Sequence, residues 1–538
     1  MIGADAIVKC LEKEGVTTLF GYPGVAICPF FNSILNTKIE SILVRSEQNA
    51  AHAASGYARV TGKVGVCVAT SGPGATNLLT GIATAYADSI PLVCITGQVD
   101  SKLLGSDVFQ EADITGAAES FVKYSYLVKD AADIPRIMKE AFHIASTGRK
   151  GPVLIDVPID IQNRQITGFK YPDSVNMRTY KPTVKGHAVQ LKKVAKELEK
   201  AKKPVICAGG GVILSGARKE LVEFSHRYGI PVVSTMMGIS SMPSDDPLYF
   251  GMIGNNGTPY ANKAMQESDL LIVIGARIAD RAVSSPDLVA KDTVLIHIDV
   301  DPAEIGKNVG PTIPIVGDIK HIFADLAKDT ASCDFTKWVD TLTGYKKAHK
   351  PRKSPRRSYV DPAKFVATLS DMLDDNAVYV ADVGQNQMWS CGYYKAKSGR
   401  FLTSGGMGTM GYSIPAAIGA KKADSKKQVV AVCGDGSFQM SMNELATMMQ
   451  HNIPVKIIVF NNGYLGLVRE YQHKTYKANY SMVDLSGSPD LSKIAEAYNI
   501  PFVRLANNTG MADKIKKFLV QKGAGLMECM IDPMDVVK

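Results

Sequence analysis

Short apolar runs alternate with amphipathic helical stretches from one end of this 538-residue chain to the other, and that alternation constrains the fold more than any other feature. Runs of four to seven apolar residues are too short for buried helices, and the helical stretches between them supply cover for both faces of a sheet. The chain therefore reads as α/β units built on doubly wound parallel sheets. Residues 64–69, 92–96 and 153–157 read as strands, with helices over 75–87 and 134–147. Periodicity is lost over 171–186, which carries Pro172 and Pro182, and the first boundary belongs there. A second unit opens with a helix over 187–200, a strand over 204–208, the turn Gly209-Gly210-Gly211 and a helix over 217–228. Further strands at 230–234, 270–274 and 294–298 make it a nucleotide-binding-like fold. The basic run Lys346, Lys347, Lys350, Arg352, Lys353, Arg356, Arg357, broken by Pro351 and Pro355, reads as a solvated linker. A third unit begins near Asp361, giving domains over 1–170, 187–345 and 361–532, in line with about 150 residues per domain. The first and third units read as one architecture used twice, without an internal sequence repeat.

Composition narrows the function classes. Hydrophobic residues make up 46% and charged residues 21%, ordinary for a soluble protein, and the net charge of +9 is modest for this length. Basic residues are dense only in the linker, so no nucleic-acid partner is expected. No apolar run approaches the roughly 18 residues of a membrane span, and the helical pattern already starts at Ala4, so neither a membrane segment nor a signal or transit peptide is expected. Nine cysteines lack any Cys-x-x-Cys spacing and several, such as Cys67 and Cys94, sit inside apolar strands, which points to a reducing cytoplasm.

Two polar clusters close consecutive strands in the third unit. The run 428–433 leads into Gly434-Asp435-Gly436-Ser437, and 455–460 delivers Asn461-Asn462, with Asn462 lying 27 residues beyond Asp435. Glycines let the backbone approach a phosphate, and one carboxylate with one amide oxygen gives a hard divalent cation the few protein ligands it takes beside a diphosphate. Gly-Asp-Gly alone is an ordinary αβ connection; the paired asparagines on the next strand give it meaning. In the first unit, Glu47 opens an Ala-rich helix, where a lone acid is ordinarily a charge favoured by the helix dipole. Its neighbours Gly21-Tyr22-Pro23-Gly24, Ser71-Gly72-Pro73-Gly74-Ala75-Thr76-Asn77 and Phe109-Gln110-Glu111 also follow strand-like runs, where open α/β sheets collect ligands. Gly406-Met407-Gly408-Thr409-Met410-Gly411 has Gly-x-Gly-x-x-Gly spacing, but it follows a poor strand and no acid stands about 20 residues on at a clear strand end. It is rejected as a dinucleotide fingerprint.

Together these motifs resemble those of the thiamine-diphosphate enzymes, and in particular the catalytic subunits of acetohydroxyacid (acetolactate) synthases. Matching stretches include Phe20 to Gly24, Ile296 to Gly306, Gly405 to Gly411, Asn461 to Gln472 and Ile531-Asp532-Pro533. The resemblance implies that Glu47 hydrogen-bonds the aminopyrimidine of thiamine diphosphate and promotes the tautomer that deprotonates the thiazolium carbon, with Phe109 and Gln110 also catalytic. It implies that Asp435, Asn462 and the Tyr464 carbonyl ligate Mg2+. Contacts to thiamine diphosphate fall to Pro23, Gly24, Pro73, Asn77, Gly384, Gln385, Asn386, Gly408, Met410, Gly436 and Ser437. Met410 would hold the cofactor bent and, with Tyr471, shape the substrate pocket.

In that family the middle domain holds FAD, which does no redox work. Arg178, Gly210, Gly211, Thr235, Gly275, Arg277, Asp280, Arg281, Asp299, Gly317 and Asp318 fall on the matching positions. The chain departs from the family at Asn255-Asn256, at Ile278-Ala279, where ring-bearing side chains are usual, at Tyr471, which stands for Trp, and at Ile159, which stands for Lys. The expected activity is decarboxylation of pyruvate and condensation with a second 2-oxo acid to give 2-acetolactate or 2-aceto-2-hydroxybutyrate, with a pyruvate oxidase or another thiamine-dependent decarboxylase as the alternative. The resemblance implies a homodimer or homotetramer, leaves room for a regulatory small subunit, and belongs with branched-chain amino acid biosynthesis.

Overall fold

The computed structural model describes residues 1–279, 292–310, 312–329, 333–350 and 358–537. Three six-stranded sheets follow one another along the chain, and every strand pair in them is parallel. The first holds β1 (Thr18–Tyr22), β2 (Glu40–Leu43), β3 (Gly65–Ala69), β4 (Leu92–Gln98), β5 (Tyr124–Leu127) and β6 (Pro152–Pro158) in the order β2-β1-β3-β4-β6-β5. The second holds β7 (Pro204–Ala208), β8 (Val232–Ser234), β9 (Tyr249–Met252), β10 (Leu270–Ile274), β11 (Val294–Asp299) and β12 (Ile313–Val316) in the order β12-β11-β10-β7-β8-β9. The third holds β13 (Val378–Ala381), β14 (Arg400–Leu402), β15 (Val429–Gly434), β16 (Lys456–Asn461), β17 (Phe502–Leu505) and β18 (Gly525–Met530) in the order β14-β13-β15-β16-β18-β17.

The first and third sheets thus share one strand order, the two-fold use of an architecture expected from the sequence. The middle sheet grows outward both ways from β7, the order of dinucleotide-binding folds, and its switch point lies between β7 and β10. Some elements differ from the sequence expectation. Two helices, Asp435–Ser441 and Glu444–Gln450, connect β15 to β16, and 400–405 supplies a three-residue edge strand followed by an irregular loop. Of the basic run, Lys346 ends the helix Thr336–Ala348 and donates to the Tyr249 carbonyl, while Pro351, Arg352, Lys353, Pro355, Arg356 and Arg357 lie outside the described residues. Among the described residues no helix is long and apolar enough to cross a membrane.

The first and third units share a core. Buried side chains run from Ala53 and Leu78 through Tyr412 and Ala417 to Ala431 and Val459. The helices Glu47–Thr61 and Ser413–Ala423 cross at its centre, and glycine permits the crossing: a Cβ on Gly56 would overlap the Ala416 carbonyl, and one on Gly419 that of Ala53. His52 packs edge-on against Tyr412 at 5.3 Å, and burial, with Arg59 nearby, holds its imidazole down to about 3, so it is neutral filling.

Candidate active site

The third sheet brings one set of predicted residues together. β13, β15 and β16 are neighbours and end on the same edge, so the segments that leave them meet. Asp435 opens the helix after β15, and its carboxylate accepts the Gly463 amide at 2.9 Å. The group is buried, and burial pushes its pKa up to about 7 against the pull of the backbone amides around it. Asn462 accepts the Tyr464 amide at 3.0 Å and donates to the Gln385 side chain at 3.1 Å. Gln385 in turn donates to Glu470 and to the Asp535 carbonyl, each at 3.0 Å.

Gly384 caps the helix Gln385–Tyr393 with φ of 134°, a value side-chain-bearing residues rarely adopt, and so turns the first helix amides toward the same edge. Asn386 is turned back onto the Asp382 and Val432 carbonyls, and Ser437 donates to the Val383 carbonyl. A Cβ on Gly436 would stand 2.8 Å from the Leu465 side chain and 3.5 Å from Met410 Cε, so this glycine keeps open the space that Met410 faces. Gly408, at φ of +68°, has open space beside it. Tyr471 is 59% exposed and packs edge-on against Tyr476, away from the buried cluster, while the Tyr464 ring carries the Arg469 guanidinium.

The buried Asp435 carboxylate, the Asn462 amide oxygen and the Tyr464 carbonyl form a hard-oxygen donor set, which fits Mg2+ when a diphosphate completes the shell. Among the described residues no group of three or more His, Cys, Asp or Glu side chains is placed to hold a metal without such help.

The first sheet gathers the other set at its own carboxyl edge. Glu47 opens its helix and accepts the Asn77 side-chain amide at 3.0 Å. A Cβ on Gly74 would lie 3.3 Å from Glu47 Oε1, and one on Gly24 would overlap Thr70, so Gly24, Thr70, Gly74, Asn77 and Glu47 form one tight group. The Thr70 hydroxyl in it is buried without a protein partner. Pro73 starts the helix that carries Asn77, Pro23 is exposed beside Gly24, Gln110 packs over Gly72 with φ of 61°, and Phe109 is 88% exposed. Among the described residues no hydrogen bond or ion pair joins Glu47, Asn77 or Gln110 to Asp435, Asn462 or Gln385. Within one chain these two groups of residues stand apart, as two candidate half-sites.

A cavity of about 530 Å³ lies among the three units. Gly210, Gly211, Thr235, Gly275, Arg277, Asp299 and Asp318 line it. Gly211 and Gly275 meet backbone to backbone, where a Cβ would stand 2.7 Å from a Cα, and burial pushes Asp299 up to about 6. Gly317 stands behind the wall against the Val184 carbonyl. Arg178 is exposed and outside the wall, in the segment whose Met177 and Tyr180 pack on the first unit. Asp280 and Arg281 lie outside the described residues. Arg59 Nε and Glu304 Oε2, from two lining residues, are buried without protein partners, as a polar ligand would require. Met236, Met237, Met252, Met388 and Ile278 form the apolar wall, with Asn255 and Asn256 beside them. The residues present fit a nucleotide cofactor whose ring packs on methionines instead of aromatic side chains.

Carboxylates that no motif marks hold these half-sites in shape. Fully buried Asp382 accepts the amides of Val383, Gly411 and Ser413, pinning the loop that ends at Met410. Asp156 accepts Thr96 and Gln98 side chains, and Gln98 also donates to the Ala112 carbonyl beside Phe109 and Gln110. The available signal was a single acid inside or just after an otherwise apolar strand.

Comparison with known proteins agrees with this geometry. Residues 1–117 match the family description "Thiamine pyrophosphate enzyme, N-terminal TPP binding domain", 191–326 its central domain, and 382–529 its C-terminal TPP binding domain. The chain is 45% identical to a probable acetolactate synthase large subunit of Methanocaldococcus jannaschii, over 100% of this chain and 93% of that one. It is 44% identical to the acetolactate synthase large subunit of Corynebacterium glutamicum, over 96% and 84%, and 42% identical to that of Lactococcus lactis, over 99% and 93%. Three domain matches in order, full-length relatives and two half-sites on matching sheets lead to one conclusion: the chain belongs to the acetolactate synthase large-subunit family of thiamine pyrophosphate enzymes.

Proposed function

We propose that this chain decarboxylates pyruvate and joins the remaining two-carbon unit to a second 2-oxo acid, giving 2-acetolactate from two pyruvates with release of one carbon dioxide. The carrying observation is a half-buried Glu47 held by Asn77 at the edge of one sheet, and a buried single carboxylate, Asp435, beside Asn462 at the same edge of its counterpart. Thiamine diphosphate, when bound, supplies the electron sink that makes loss of carbon dioxide feasible. The residues supply placement. Asp435, Asn462 and the Tyr464 carbonyl would hold Mg2+, and the amides after Gly384 and Gly434 would bind the diphosphate. Met410, opposite Gly436, would support the cofactor. Glu47 would be the group that holds or moves a proton at its carboxylate, which the Asn77 side-chain amide orients.

The central cavity takes FAD without redox turnover, supported by its glycine contact, its buried acids and the two unpartnered polar atoms. The separation of the half-sites within one chain supports a dimer in which each active site takes Glu47 from one subunit and Asp435 from the other. The designation of relatives as large subunits supports a smaller regulatory partner. Nine thiols, most of them buried, suit a reducing cytoplasm.

One experiment tests the whole: incubate the purified protein with pyruvate, Mg2+ and thiamine diphosphate, with and without FAD and with oxygen excluded, and identify the product. Acetolactate with unreduced flavin is expected. Acetate with reduced flavin would assign an oxidase instead, and acetaldehyde alone a simple decarboxylase.

A further inference from the structure

The loop from Thr403 to Tyr412, which carries Met410, has no regular secondary structure, so side chains must hold its backbone amides. Asp382 holds its far end, and the Ser404 hydroxyl accepts the Thr409 amide at 3.0 Å. The near end is held from another unit. Asp88, just past the helix Pro73–Ala87 of the first unit, accepts the Gly406 amide at 2.7 Å and the Gly405 amide at 3.2 Å. Its other partner is Arg59 at 2.7 Å, and both side chains are almost completely buried. Arg59 also donates to the Thr403 carbonyl at 2.7 Å, and Thr84, one turn before Asp88, shares a 2.7 Å hydrogen bond with Thr409. From the central unit, Arg277 donates to the Ala87 carbonyl at 2.7 Å, fixing the residue next to Asp88. Gly406 permits this seating, since a Cβ there would stand 2.8 Å from the Ala87 carbonyl, and Gly405 packs against the Met237 side chain.

A purely structural helix end would not carry this residue. A carboxylate at a helix C-terminus opposes the dipole, and a buried ion pair costs desolvation that its own attraction barely offsets. We propose that Asp88 is a positioning residue for the reaction: with Arg59 it grips the Gly405 and Gly406 amides and so sets how far Met410 reaches toward Gly436. This rests on the placement of Met410 beneath thiamine diphosphate proposed above.

The test compares Asp88→Asn, and the charge-free pair Arg59→Met with Asp88→Asn, which leaves no buried ion to unfold the chain, with the parent enzyme loaded with thiamine diphosphate and Mg2+. Hydrogen exchange in the peptide 403–411 should be about tenfold or more faster in both, the scale set by losing a charge-assisted hydrogen bond, while the β15 and β16 peptides stay protected. kcat should fall about tenfold or more, with KM for pyruvate changed by less than about threefold, because an interaction that matters after binding has been lost. Unchanged exchange in 403–411, or kcat within about twofold of the parent, overturns the proposal. Met410→Ala distinguishes the two layers: full kcat in that variant removes Met410 from the cofactor, whereas unchanged exchange in the Asp88 variants removes Asp88 from the loop.

Discussion

At the residue scale, the proposed chemistry falls to one buried carboxylate and one half-buried one. Asp435, pushed up to about 7 by burial, is a poor place for a lone negative charge and a good one for a cation shared with a diphosphate. Glu47 is half-buried and accepts a hydrogen bond from Asn77 at 3.0 Å, which leaves part of its carboxylate free to meet a ligand. Glu47→Gln keeps the helix and the Asn77 contact but removes the base, so kcat should fall about 100-fold or more while calorimetry finds thiamine diphosphate binding preserved. Near-parental turnover would remove Glu47 from the chemistry. Tyr471 is 59% exposed and packs edge-on against Tyr476. An extra methylene in an apolar pocket is worth about 1–3 kcal/mol. Tyr471→Trp should therefore shift a pyruvate and 2-oxobutyrate competition toward 2-aceto-2-hydroxybutyrate by about tenfold, and an unmoved product ratio would place the selectivity elsewhere.

Among elements, the crossing of Glu47–Thr61 with Ser413–Ala423 decides how the outer units sit. Gly419→Ala forces a methyl onto the Ala53 carbonyl and should cost about 1–3 kcal/mol. Gly344→Ala, in the helix Thr336–Ala348 with nothing within 4 Å, should instead stabilise by about 0.5–1 kcal/mol. Thermal melting of the pair checks both signs, and equal shifts would deny the crossing its role.

Strand β6 makes a pH prediction. Burial pushes the Asp156 carboxyl up from 3.8 to about 7, outweighing its bonds from Thr96 and Gln98. Between those values the native state keeps a proton that the unfolded chain has released. The contribution of this residue is therefore fully present below about pH 4 and is lost as pH rises through 7. Asp156→Asn should flatten the fall in melting temperature between pH 5 and 8, and a slope identical to the parent's would show that Asp156 does not titrate in this range.

For the whole molecule, the third sheet repeats the strand order of the first, and each presents half a site at its carboxyl edge. In the dimer proposed above, two chains about a two-fold axis would complete two sites at once. Glu47→Gln and Asp435→Ala chains should each be inactive as homodimers. Mixed one to one under exchange conditions, they should recover about a quarter of parental activity: half of the dimers are mixed, and each mixed dimer has one intact site. No recovery after exchange verified by mass spectrometry would place both halves of a site in one chain.

The sequence by itself determined the class of fold, because β3, β4, β6, β7, β10, β15 and β16 are buried and apolar almost throughout and can be nothing but interior strands. It also pointed to Asp435 and Asn462, because glycine and polar residues directly after such strands have no packing reason to be there, whereas Glu47 and Asn77 stood out only through their neighbours and the family resemblance. Weaker strands did not show: β5, β14 and β17 lie at sheet edges, and β5 and β17 keep residues partly in solvent, so their apolar signal is diluted. Only the tertiary structure decided that Asp88, Asp156 and Asp382 hold the loops of the half-sites. It alone showed Gln385 tied to Glu470 and the Asp535 carbonyl, and Arg178 outside the central cavity. The reason is physical: a hydrogen bond or a cavity wall joins residues that may lie hundreds of positions apart, and local periodicity carries no record of which distant backbone amide a buried carboxylate will meet.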